Sequence, residues 1–229
     1  MNQQLLLLHG ALGSKEQFKD IKERLSSDFE IHTLNFEGHG NRASSQGFSM
    51  DLFANNVFDY LEENNIEKVH IFGYSMGGYV ALCLAKKHPE RVKKIITLGT
   101  KFAWNEETAA KEVKMLNPEK IEEKVPAFAK KLAAIHTYTD WKEVMRKTAM
   151  MMQELGNGKK LTLQELACIH HKVLIGIGSN DHMVSIEESK EHADALPNGG
   201  LKTLDDIPHM IDMIPVEKIQ TMILDFISK

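Results

Sequence analysis

Ser75 stands inside the run Gly73-Tyr74-Ser75-Met76-Gly77-Gly78. A short apolar stretch over residues 69–72 precedes it, and a helical pattern over residues 79–87 follows. The order is therefore strand, abrupt turn, helix, with a serine at the apex. A serine there must take up a strained backbone to project its hydroxyl. Gly73 and Gly77, two residues to either side, answer the need for a position without a Cβ where strand and helix cross. The amides that open the helix then point toward the hydroxyl, where they can hold a developing negative charge. This is the chemistry of a nucleophile that attacks a carbonyl. The five-residue pattern by itself also fits a serine that merely reverses the chain in a Gly-rich turn; the strand before and the helix after favour the nucleophile.

A serine needs a base to become nucleophilic at neutral pH, and histidine suits because its free pKa lies at roughly 6.5. Of the 11 histidines, His209 follows the last predicted strand and precedes the last helix, late in the chain as the order serine, acid, histidine requires. His170 and His171 precede a strand, at the wrong end of a sheet. His182 adjoins the acid and is placed to line the site, whereas His39 and His88 read as loop and helix-end residues. Asp181, in the turn after the fifth predicted strand, is the acid that would orient the histidine and stabilise its charged form. Its bland alternative is a turn or capping aspartate. Asp205 and Asp206 are rivals that come early in the same loop as His209. The oxyanion donors are expected to be the backbone amides of Met76, just after the nucleophile, and of Ala11, in the first strand-to-helix loop.

These residues require a scaffold whose loops converge. The run Leu5-Leu6-Leu7-Leu8 is apolar without alternation, as in a strand covered on both faces. Further strands are predicted over 30–36, 69–72, 95–98, 172–177 and 201–204, with helical patterns between them. The first of these helices carries Phe18, Ile21 and Leu25 on one stripe. The alternation breaks between about 101 and 168, where three or four helices are expected, capped at Asn105, Asn117 and Asp140; the last has capping-box spacing to Glu143. The reading is one α/β domain over 1–229, with about six parallel strands flanked by helices and a helical lid over 101–168 inserted before the fifth strand. In such sheets ligands bind at the carboxyl ends of the strands. The loops carrying Ala11, Ser75, Asp181 and His209 all lie there.

Composition bounds the function classes. The 229 residues are 42% hydrophobic and 26% charged, a globular balance. A net charge of -4 gives no general attraction to nucleic acid or to an anionic membrane. The two cysteines, Cys83 and Cys168, imply no disulfide framework and fit a reducing compartment. The leucine run is too short for a signal or a membrane span, so a cytoplasmic protein is expected.

Taken together, His9-Gly10-Ala11-Leu12-Gly13-Ser14, Gly38-His39-Gly40, the 73–78 turn, Gly178-Ser179-Asn180-Asp181 and Pro208-His209 resemble the α/β-hydrolase superfamily, in its small lidded esterase-like group. The resemblance covers essentially the whole chain. It implies Ser75 as nucleophile, Asp181 as acid and His209 as base, with no cofactor and no metal. In two respects the chain departs from the pattern. Asn35 stands where the family often has a loop-bracing Asp, and there is no room for the pair of amino-terminal strands that begins many members. Neither departure touches the proposed triad. Leu12, Trp104, Met183 and Met210 are expected at the substrate pocket. Phe128, Trp141, Met145, Met150, Met151 and Met152 read mostly as helix packing. The expected partner is a small acyl substrate, such as a carboxylic ester. Thioester, lactone or C–C cleavage on the same triad, or a ligand-binding receptor on the same fold, are the alternatives.

Overall fold

The computed structural model describes residues 3–228. The apolar runs form six strands: β1 (Gln3–Leu8), β2 (Phe29–Thr33), β3 (Val69–Tyr74), β4 (Val92–Leu98), β5 (Lys172–Gly178) and β6 (Gly199–Leu204). All neighbours pair in parallel, in the order β2-β1-β3-β4-β5-β6. The chain builds outward from β1 to β2, then crosses back to place β3 on the other side. Loops leaving β1 and β3 therefore diverge, and a crevice opens between them at the carboxyl edge.

Strand side chains alternate between faces, and both faces are covered. Leu6, Leu8, Ile71, Ile95 and Ile175 pack with α2 (Met50–Glu63), α3 (Met76–Lys87) and the end of α9 (Ile186–Ala195). Leu5, Leu7, Phe72, Ile96 and Leu98 pack with α1 (Lys19–Leu25) and α10 (Val216–Ile227). The four leucines of β1 are fully buried, each stabilising the fold by about 2 kcal/mol relative to an exposed side chain. Between β4 and β5 lies the helical insertion: α4 (Glu106–Met115), α5 (Pro118–Lys124), α6 (Pro126–Ile135), α7 (Trp141–Gly156) and the single turn α8 (Leu163–Leu166).

Several local expectations change. β2 ends at Thr33 rather than near Phe36, because residues 35 and 36 turn their polar groups to other loops. Asn35 Oδ1 accepts from the Lys15 amide at 2.8 Å, and the Phe36 amide donates to His9 Nε2 at 3.2 Å. Asn35 thus braces a loop as an amide. The first helix opens as a 3-10 turn over Lys15–Phe18, capped by Ser14, before α1 begins. Asp140 caps α7 through the amide of Lys142 and makes no reciprocal bond with Glu143; reciprocal boxes form instead between Asn105 and Thr108 at α4 and between Thr162 and Glu165 at α8. The insertion holds five helices rather than three or four: Pro118 and Pro126 open short ones, and the further element is the single turn α8, capped by Thr162.

The glycines of the β3–α3 turn are sites of close backbone approach. A Cβ on Gly73 would lie 2.4 Å from the Gly78 nitrogen, and one on Gly77 would lie 2.2 Å from the Leu8 carbonyl oxygen. The helix is thus pressed onto both its own strand and β1. Gly77→Ala is expected to cost about 1–3 kcal/mol in urea unfolding. Gly47→Ala, where nothing lies within 4 Å, is expected to be tolerated. Equal effects of the two would contradict this packing account.

Candidate active site

Ser75 has φ 51° and ψ -116°, in a region that L-residues rarely occupy. Such a conformation costs on the order of 1–3 kcal/mol and persists only when its surroundings over-determine it. The surroundings do so here. The Ser75 amide donates to the Leu98 carbonyl at 2.8 Å, and the Ser75 carbonyl accepts from Thr100 Oγ1 at 2.9 Å and the Gly78 amide at 3.0 Å. The apex is clamped between the end of β4 and the first turn of α3.

His209 and Asp181 meet across 28 residues of chain. His209 Nδ1–H donates to Asp181 Oδ2 at 2.8 Å, and the Asp181 side chain is 1% exposed. The other carboxylate oxygen, Oδ1, accepts the amides of Met183 and Val184 at 2.8 and 2.9 Å. Both oxygens are therefore satisfied, and the carboxylate is fixed in orientation. The Tyr74 hydroxyl donates to the His209 carbonyl at 3.0 Å. Burial pushes the Tyr74 pKa up to about 12, so it remains a donor. Gly99, which the sequence reading did not single out, lies beneath this pair. Its φ is +63°, and a Cβ there would come within 3.3 Å of Asp181 Oδ2 and of the His209 ring. Asp205 and Asp206 are exposed and go elsewhere: the Asp205 carbonyl accepts from Lys218, and the Asp206 amide donates to Ser179.

Ala11 and Met76 face the same place. Among the described residues neither amide donates to a protein acceptor. Both line one small cavity, of about 40 Å³, together with Ser75, His209, Met50, Tyr79, Lys101, Trp104, Glu112, Met151, Met152, Met183 and Val184. Trp104 and Met183 thus lie at the cavity. Leu12 and Met210 do not. Leu12 turns away at φ 58° and packs between the sheet core and the helical insertion, and Met210 is 54% exposed. His182 is exposed, outside the lining. Of the insertion's methionines, Met151 and Met152 reach the cavity, Met145 is buried with Trp141, and Met150 is on the surface. A wider recess of about 430 Å³ lies beyond Met50, Tyr79 and Met151, which line both spaces. Among the described residues no cluster of three or more His, Cys, Asp or Glu is placed to hold a metal, and no helix is long and apolar enough to cross a membrane.

The family profile for the alpha/beta hydrolase fold matches residues 4–133, more than half of the chain. The chain belongs to the α/β-hydrolase fold family. It is similar to a Haemophilus influenzae protein provisionally designated an esterase/lipase, at 23% identity over 244 residues that take in 98% of this chain and 83% of that one. It is also 29% identical over 89 residues to ethanol acetyltransferase 1 of Kluyveromyces marxianus, 38% of this chain and 24% of that one. The chain spans only about a quarter of the length of the acetyltransferases it matches. Among solved structures, a thermophilic esterase from Thermogutta terrifontis superposes with a TM-score of 0.79 at 19% identity, covering 100% of this chain and 90% of that one.

Three buried histidines tie this hydrolase-fold site to the helical insertion. His9 Nδ1–H donates to the Gly10 carbonyl at 2.8 Å, and His39 Nδ1–H donates to the Glu37 carbonyl at 3.1 Å. His136, at the end of α6, accepts the Gly40 amide on Nδ1 at 3.0 Å and donates from Nε2 to the Leu12 carbonyl at 3.1 Å. Their rings neighbour one another, with His39 5.1 Å from His9 and 5.7 Å from His136. Burial lowers all three pKa values, that of His9 to about 4. Each is neutral in the folded state at neutral pH, while the unfolded chain takes up a proton near its ordinary value of about 6.5. The stability held by these neutral rings is complete above about pH 6.5. It declines as pH falls toward 4, at up to about 1.4 kcal/mol per pH unit for each buried ring. Thermal melting is therefore expected to drop steadily from pH 6.5 to 4.5. His39→Phe, placed among Phe36, Phe48 and Phe53, should flatten that profile. A melting temperature independent of pH over this range would refute the assignment.

Proposed function

We propose that this chain is a serine hydrolase that cleaves a carboxylic ester or related acyl compound, with the helical insertion, 101–168, as its lid. The observation that carries the reading is the His209–Asp181 hydrogen bond of 2.8 Å beside a strained Ser75, with Ser75 and His209 lining one cavity. In this reading His209 Nε2 takes the proton of Ser75 Oγ as that oxygen attacks the substrate carbonyl carbon. The tetrahedral oxyanion is held by the amides of Ala11 and Met76. The intermediate collapses, the leaving alkoxide takes the proton from His209, and an acyl-enzyme remains on Ser75. Water then gives a proton to His209 and attacks the acyl carbonyl. Collapse of the second intermediate returns the proton to Ser75 and releases the acid. Asp181, held by two amides, keeps His209 in the tautomer whose Nε2 is free and stabilises the imidazolium that forms twice per cycle.

The small cavity supports short acyl groups. Longer ones must displace Met50 or Met151 to reach the wider recess, which methionine permits through its flexible side chain. The same acyl-enzyme can also be released by an alcohol in place of water. The local similarity to ethanol acetyltransferase 1 favours adding that acceptor to the assay.

Hydrolysis of p-nitrophenyl esters from acetate to decanoate tests the reading. Turnover is expected to be highest for the shortest chains, to fall by at least about a thousandfold in Ser75→Ala, and to fall comparably in Asp181→Asn, with KM little changed. A folded Ser75→Ala protein with undiminished turnover would sink the proposal. So would a wild type that binds these esters and leaves them intact.

A further inference from the structure

Two charged side chains that the proposed reaction does not use face the same cavity. Lys101 follows the end of β4, and Glu112 lies on α4 of the helical insertion. Glu112 is 5% exposed, and its ion-pair partner is Lys101, whose Nζ stands 3.4 Å from its Oε1. Lys101 has a tighter hydrogen bond elsewhere, to the Met183 carbonyl at 2.9 Å. Met183 is one of the two residues whose amides hold Asp181 Oδ1. The ammonium also lies 5.9 Å from the Trp104 ring centroid, and the Trp104 indole N–H donates to the Lys101 carbonyl at 3.1 Å. The pair is thus built into the cavity wall, in otherwise mostly apolar company.

A buried carboxylate with one loose partner among the described residues, beside an ammonium with a donor to spare, presents an acceptor and a donor side by side. The pair is neutral as a whole. A ligand carboxylate would satisfy Lys101 and repel Glu112; a ligand cation would do the reverse. Either leaves an uncompensated charge in a water-poor space. A neutral group that both donates and accepts, a hydroxyl or a primary amide, satisfies both partners without that cost. We infer that Lys101 and Glu112 are specificity-determining residues that select a substrate carrying a hydroxyl or primary amide on the part of the molecule held in the cavity. The inference rests on the hydrolase reading and narrows its substrate class to hydroxylated or amide-bearing short esters. It also gives the insertion a chemical role, since Glu112 is brought to the cavity by α4.

Two matched pairs of substrates test it: ethyl butyrate against ethyl 3-hydroxybutyrate, and butyl acetate against 4-hydroxybutyl acetate, followed by acid release. The hydroxylated member of at least one pair is expected to have a kcat/KM about tenfold or more higher, mainly through KM, as for a hydrogen bond to a charged group. In the double variant Lys101→Met/Glu112→Leu, which removes both charges and leaves neither one stranded, the ratio is expected to fall to about one. A pair that only fastened the insertion would lower the melting temperature of that variant and leave the ratio unmoved, and this outcome overturns the assignment. Parity within both pairs in the wild type also overturns it, as does a preference for a 4-trimethylammonio butyrate ester over its hydroxylated counterpart. Calorimetric binding of the same esters to Ser75→Ala separates the two levels of the reading. Selective binding of the hydroxylated ester without wild-type turnover retains the specificity assignment and rejects the hydrolase. Unselective binding, or none, rejects the specificity assignment whatever the turnover.

Discussion

The close approach of α3 to the sheet is the constraint on which the rest of the arrangement depends. With Gly73 against Gly78 and Gly77 against the Leu8 carbonyl, the helix sits too near β3 and β1 for any side chain between them. That proximity forces the chain to turn within one residue, and Ser75 takes the strain at φ 51°. The energy is supplied by burial of α3, from Met76 to Ala85, inside the largest hydrophobic cluster. A strained serine lining the cavity is thus a local consequence of an apolar helix packed as tightly as its backbone allows.

The loop after β4 fastens the remaining parts to that apex. Gly99 makes room for His209 and Asp181, and Thr100 Oγ1 holds the Ser75 carbonyl. Lys101 reaches the Met183 carbonyl and Glu112. The amides of Phe102 and Ala103 both donate to Glu188 Oε1, at 2.9 and 3.1 Å, which anchors the loop to the start of α9. Glu188 also completes the capping box with Ser185. One short segment therefore couples the turn at Ser75, the loop of Asp181 and the insertion. Rigid positioning of this kind is what the proposed proton relay requires, because its groups must keep hydrogen-bond geometry through several steps.

The buried histidines join the other side of the crevice. His9 and His39 belong to loops after β1 and β2, and His136 comes from the insertion, yet all three lie within one aromatic cluster with Phe36, Phe48 and Phe53. His136 spans the Gly40 amide and the Leu12 carbonyl, so the insertion is hydrogen-bonded to the loop that carries Ala11. His39, legible in sequence only as a loop residue, is fully buried here.

Much of the fold was legible because its signals are local. Unbroken apolar runs mark strands covered on both faces, and Ser49, Asn105 and Asn117 announce helix starts through a side-chain oxygen that reaches an amide three residues on. The same holds for the four loops that carry Ala11, Ser75, Asp181 and His209, since each follows a strand and parallel strands send such loops to one edge. What sequence alone did not determine is which side chains on those loops turn inward. Leu12 and Met210 adjoin residues of the site yet point away from the cavity, while Gly99, Lys101 and Glu112, which carry no motif, shape it. Local pattern reports what a residue does within about one turn of its own chain. The meeting of Asp181 with His209, or of Lys101 with Glu112, depends on how separate elements pack, and only the tertiary structure decides that.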